Sequence, residues 1–112
     1  MKKIELITRP EKFEDVKDVL KGLDIKGMTF SMVSGCGTQR GRREMYRGVA
    51  YDINLLPKVK VETIVKDDIV KPLIDELIKT LKTDAIGDGK IFIYDVLDVI
   101  RIRTEEHGND AI

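Results

Sequence analysis

The stretch LLPKVKVETIVKDDIVKPLIDELIKTL, residues 55–81, changes its hydrophobic period once, and that change decides the fold. From Leu55 to Val65 the period is two. Val59, Val61, Thr63 and Val65 face one way and Lys58, Lys60, Glu62 and Ile64 the other, as in a strand with one buried face. Beyond it Val70, Leu73, Ile74, Leu77, Ile78 and Leu81 recur at helical spacing. Asp67 and Asp68 between the two offer an N-cap and a favourable charge at a helix start. Pro72 fits that helix only in its first turn.

Working outward, the same alternation of elements repeats. Ile4 to Thr8 reads as a buried strand, and Pro10 opens a helix whose apolar stripe is Phe13, Val16, Val19, Leu20 and Leu23, ended by Gly22 and Gly27. Met28 to Val33 alternates as a second strand. Residues 37–55 hold Arg40, Arg42, Arg43 and Arg47 without a clear period and read as a long exposed loop, which in a compact domain tends to be functional. After the helix, 83–90 is a turn, Ile91 to Val96 a strand, Val99 to Arg103 a further short strand, and 105–112 a mobile polar tail. The order β-α-β, loop, β-α-β predicts one α+β domain over residues 1–112, ferredoxin-like, with both helices on one face of an antiparallel sheet. Alternating apolar residues on the other face would favour burial against further copies.

Composition narrows the function. Twenty Lys and Arg balance 20 Asp and Glu, so the basic excess of a nucleic-acid binder is missing. One cysteine, no long apolar N-terminal run and no stretch of spanning length predict a cytoplasmic protein that meets a membrane only through a partner. Cys36 has no base beside it and reads as a small packing residue; His107 has no metal-ligating company, and no Ser-His-Asp set appears, so nothing demands an enzyme.

Three features could grip an anion. Gly87-Asp88-Gly89-Lys90 frees backbone amides and places an ammonium beside them, although such a run also occurs as a plain tight turn. Gly35-Cys36-Gly37 is a second glycine pair at a strand end, readable as a bend or as the other wall of a cleft. Arg101 and Arg103, two apart on the expected strand, would share a side and could bind phosphate through forked hydrogen bonds, or simply be solvated beside Glu105 and Glu106.

Taken in order, several segments resemble the PII signal-transduction family along essentially the whole chain. Thr83 to Val96 resembles its C-terminal signature and Tyr46-Arg47-Gly48-Val49-Ala50-Tyr51 its loop signature, with Leu56 to Lys60 and Val99 to Thr104 in register between and after them. The resemblance implies a homotrimer binding ATP or ADP in the clefts between subunits. Gly87, Asp88, Gly89 and Lys90 would wrap the phosphates, and Arg101 and Arg103 would reach them from the neighbouring subunit. Ile7, Thr29, Glu62 and Ile64 would lie near adenine and ribose, with Gly35, Cys36, Gly37, Thr38 and Gln39 at the loop base. It also implies 2-oxoglutarate beside ATP and its Mg2+, with Gln39 toward the metal-bound group and Lys58 on a ligand carboxylate. Arg47 and Tyr51 would serve the partner-binding loop, toward an ammonium channel, a transcription regulator or a nitrogen-assimilation enzyme. Tyr51 matches a residue that some relatives uridylylate, but Val49 and Ala50 depart from the usual flank, and the Gly-Cys-Gly-Thr-Gln run looks like Gram-positive members. The alternatives are a PII-like regulator of another small molecule and a weak nucleotide hydrolase, the latter without a placed general base.

Overall fold

A computed structural model describes residues 1–36, 43–46, 49–52 and 55–112, the two short middle segments as backbone strands. In chain order the elements are β1 (Lys2–Thr8), α1 (Phe13–Gly22), β2 (Thr29–Gly35), β3 (Arg43–Tyr46), β4 (Val49–Asp52), β5 (Leu56–Val65), α2 (Asp67–Leu81) and β6 (Lys90–Asp95). Short 3-10 turns lie at Pro10–Lys12 and Gly108–Ala111. The sheet order is β2-β5-β1-β6, with every pair antiparallel, which is the ferredoxin-like arrangement.

The core forms where strand alternation meets the two helical stripes. Ile4 and Leu6 of β1, Val59, Val61 and Val65 of β5, Val16 and Leu20 of α1, and Leu73, Leu77 and Leu81 of α2 are all buried together. Each such aliphatic side chain removed from water contributes about 1.5–3 kcal/mol, so this layer fixes the sheet against the helices. Register carries the same face across the strands: Leu6 pairs with Val61 and Ile91, and Ile4 with Thr63 and Ile93. Two threonines interrupt the apolar layer, and both are satisfied: Thr8 donates to the Asp88 carbonyl at 2.8 Å and Thr63 to the Gly27 carbonyl at 2.6 Å.

The second face of the sheet is not apolar in alternation. Lys3, Glu5, Lys60 and Glu62 stand in a ladder there, with Lys3 3.8 Å from Glu5 and 3.7 Å from Glu62, and Lys60 3.5 Å from Glu62. Glu5 and Glu62 face each other directly across the strands, a like-charge pair that Lys3 bridges. The Tyr94 hydroxyl donates to Glu5 at 3.2 Å, and the Lys3 ammonium lies 5.3 Å from the Tyr94 ring centre.

Five local expectations need correction. The segment read as loop contains an antiparallel hairpin, with Arg43 opposite Asp52 and Tyr46 opposite Val49. Lys66, not an aspartate, occupies the N-cap of α2; Asp67 is its first residue and binds the N-terminal ammonium at 2.8 Å. Pro72 lies inside α2, beyond the first turn, on an exposed side where the lost bond to residue 68 faces water. Val99 to Arg103 is no strand: only Ile100 bridges, to His107, and the Glu105 amide donates back to the Arg101 carbonyl at 2.7 Å in a turn. The expected polar tail folds onto that turn, with the Gly108 amide donating to the Val99 carbonyl at 2.9 Å and Ala111 buried.

Candidate functional site

The turn between α2 and β6 is held by an unusual density of side chain to main chain bonds. Gly87 and Gly89 adopt positive φ, 104° and 102°, and Asp84 joins them at 64°. At Gly89 the reason is contact as well as torsion, because a Cβ there would sit 1.9 Å from the Ile7 carbonyl oxygen. β1 therefore presses its backbone against the turn. Asp88 directs its carboxylate inward to Thr83, accepting from that residue's amide at 2.7 Å and from its hydroxyl. Those bonds, the Thr83 hydroxyl first, hold the Asp88 carboxyl below its ordinary value; burial opposes them and the Arg9 guanidinium assists.

Strand parity gathers the other candidates. Ile7 lies opposite Lys60 and Lys90, Thr29 opposite Glu62, and Gly35 opposite Leu56, so Ile7, Thr29, Gly35, Lys58, Glu62, Ile64 and Lys90 all belong to the open face of the sheet. Within that face they separate. Gly35, Ile7 and Lys58 converge on the turn: the Lys58 ammonium donates to the Gly87 carbonyl at 3.3 Å, and its stem lies 3.6 Å from where a Gly35 Cβ would be. Cys36 at the end of this strand is exposed, not packed as expected.

Thr29, Glu62 and Ile64 lie toward the other end, in an open cleft of about 860 Å³ also lined by Val99, Ala111 and Ile112. Lys58 and Glu62 are four positions apart on β5, roughly 13 Å at the rise of a strand. Arg101 belongs to this second end. Its guanidinium holds Glu106 at 3.0 Å and donates to the Ile112 carbonyl at 3.4 Å. Arg103, in the turn, is exposed, and the two arginines do not share a strand face. Gly37, Thr38, Gln39 and Arg47 lie outside the described residues, as does the side chain of Tyr51.

Sequence reasoning missed three residues at the turn: Thr8, Arg9 and Thr83. Arg9 donates to the Ile86 carbonyl at 2.7 Å and lies 3.9 Å from Asp88. Thr83 carried a usable signal, since Thr and Asp near a helix end commonly bond local main chain. Thr8 and Arg9 carried none, because only the fold brings β1 against the turn.

This is a ferredoxin-like domain whose sheet edge bears a glycine turn with cations beside it. A sequence profile described as "Nitrogen regulatory protein P-II" matches residues 1–106. "Nitrogen regulatory protein P-II 1" of Escherichia coli (strain K12) is 51% identical over 112 residues, covering 100% of each chain. The protein of the same description from Methanothermobacter thermautotrophicus is also 51% identical over 112 residues, covering 100% of this chain and 97% of that one. Among solved structures, B. subtilis GlnK superposes with a TM-score of 0.81 at 38% identity, over 99% of this chain and 97% of that chain. Its complex with ATP gives 0.81 and 38% over 99% and 96%. The chain belongs to the P-II nitrogen regulatory protein family, and is therefore a regulatory signal transducer and not an enzyme.

Proposed function

We propose that this protein is a cytoplasmic homotrimer that binds ATP or ADP between subunits, senses 2-oxoglutarate beside Mg-ATP, and controls its partners through the segment 37–55. The observation that carries the reading is the division of the site residues within one subunit. Gly35, Ile7, Lys58 and the 87–90 turn meet at one end of the open face, while Thr29, Glu62, Ile64 and Arg101 lie at the other. A nucleotide served by both groups would lie where one end of one subunit meets the opposite end of the next.

The chemistry fits a polyphosphate. Gly89 admits the close backbone approach that a side chain would block, and Lys58 and Lys90 flank the turn with positive charge. Arg101 spends two N–H groups on Glu106 and Ile112, and a guanidinium has five, so it keeps donors for a phosphate of the adjacent subunit. Gln39 and Lys58 would hold 2-oxoglutarate, Lys58 by its charge on a carboxylate. Magnesium would take most of its ligands from phosphate and keto-acid oxygens. ADP, lacking the terminal phosphate, would support that ligand poorly. Bound ligands would then shift the populations of the 37–55 segment that partners recognise, whether an ammonium channel, a transcription regulator or a nitrogen-assimilation enzyme.

Calorimetry tests this directly. Mg-ATP raises 2-oxoglutarate affinity in the wild type, and Lys58→Ala abolishes the coupling. Equal 2-oxoglutarate binding with and without ATP refutes the mechanism.

A further inference from the structure

The 83–90 turn contains more structure than a phosphate grip requires, and the excess points to a residue outside the proposed contacts. Three successive carbonyls of the turn accept from the protein: Ile86 from Arg9 at 2.7 Å, Gly87 from Lys58 at 3.3 Å, and Asp88 from Thr8 at 2.8 Å. In a trans peptide the N–H points opposite to the C=O, so anchoring these carbonyls directs the amides of 87, 88 and 89 away from the same donors. Amides whose carbonyls are fixed in this way can be offered to an anion without reorganising. The array must be held against three residues in the left-handed region, one of them the non-glycine Asp84 at φ 64°.

What closes the array is Thr83. Its amide donates to one Asp88 oxygen at 2.7 Å, its hydroxyl donates to the other, and the same hydroxyl accepts from the Ala85 amide at 3.3 Å. Both Asp88 oxygens are thereby occupied. A free carboxylate beside a triphosphate would repel it, whereas one turned back onto Thr83 shapes the loop without meeting the ligand. We propose that Thr83 is a positioning residue of the nucleotide site, and that the Asp88 carboxylate serves as its staple and touches neither nucleotide nor metal. This rests on the nucleotide reading given above.

The test is calorimetry of Mg-ATP on the full-length protein. Thr83→Val, which keeps the shape and removes the hydroxyl, weakens ATP by about tenfold, while Thr83→Ser stays within about twofold of wild type. The ligand-free melting temperature of Thr83→Val stays near wild type, which separates positioning from general destabilisation. The double variant Thr83→Val with Asp88→Asn binds no more weakly than Asp88→Asn alone, because both remove one linkage. Wild-type affinity in Thr83→Val, or additive losses in the double variant, overturns the inference and leaves the nucleotide reading intact. A wild-type protein that ignores ATP sinks both. If Thr83→Val does not fold, Thr83→Ala and amide exchange of residues 83–89 in the wild type decide: a Thr83 amide as fast as an exposed one overturns the staple.

Discussion

The two ends of the sheet both present positive charge, and they are built from different materials. At the 83–90 end the frame is a close steric approach plus side chains bonded to main chain: the Ile7 carbonyl occupies the space a Gly89 side chain would need, and the Thr8, Arg9 and Lys58 side chains all donate to carbonyls of the turn. At the 97–112 end main-chain bonds fold the segment back, the Gly108 amide on the Val99 carbonyl and the Arg101 amide on the Glu106 carbonyl, and exposed charged side chains add to them, with Arg101 on Glu106 and Asp98 gathering the His107 ring and the Gly108 amide. The close approach at Gly89 is steric, so salt does not screen it and it leaves little room for adjustment. Exposed pairs at the other end contribute little each and weaken in salt. One end of the sheet should be stiff, and the other should answer to its solvent.

The same substitution at each end gives the widest separation. Gly89→Ala would put a Cβ 1.9 Å from a carbonyl oxygen at φ 102°, so β1 and the turn must part. We expect a loss of roughly 3 kcal/mol in stability and abolition of ATP binding, read by urea unfolding and calorimetry. Gly108→Ala also meets a positive φ, 66°, but no atom lies within 4 Å of the added carbon. It should cost only about 1 kcal/mol. Equal losses at the two positions would break the contrast.

Removing a charge at the second end is a smaller perturbation. Glu106→Gln frees Arg101 from an ion pair whose side chains are 37% and 43% exposed. The expected change is about 0.5 kcal/mol, vanishing in 1 M salt. Amide exchange at Glu105 and Gly108, compared at low and high salt, measures it. A large, salt-independent change would show that this end is framed like the first.

The fold was legible where one period dominated: the alternation along β5 and the stripe of α2 fix which residues enter the core. It was not legible at 43–52, where the pairing of Arg43 with Asp52 shows in no run of apolar residues. Residues 99–103 misled because alternating Ile and Arg mimic a strand, while the folded-back segment takes the bonds a partner strand would have made. Pro72 defied the first-turn rule because its missing bond costs less where water can replace it. In the site, the glycine turn could be read locally, since positive φ demands residues of that kind. Parity put Lys58, Glu62 and Ile64 on one face, but not at different ends of a divided site. Thr8 and Arg9 are distant in sequence from the turn they hold, and no spacing in the chain announces them.

Acid should affect both ends, through carboxylates held in the same way, each by a side-chain hydrogen bond. Asp98 is held below its ordinary value of 3.8 chiefly by the hydrogen bond from His107; burial opposes this, and the amides of Val99 and Gly108 assist. Since the folded value lies below the unfolded one, the contribution of Asp98 is complete above about pH 4 and is lost as pH falls through the depressed folded value. Asp88 follows the same sign, with the Thr83 hydroxyl as the first cause. Carboxyl carbon shifts followed from pH 6 to about pH 2 should show Asp88 and Asp98 both titrating below the exposed aspartates. Concentrated salt should move both only slightly, because hydrogen bonds lead the causes for each, and the net charges of Arg9 and His107 come later. An Asp88 that moved far with salt would mean that Arg9, not Thr83, sets its titration, and the 83–90 end would prove the more electrostatic of the two.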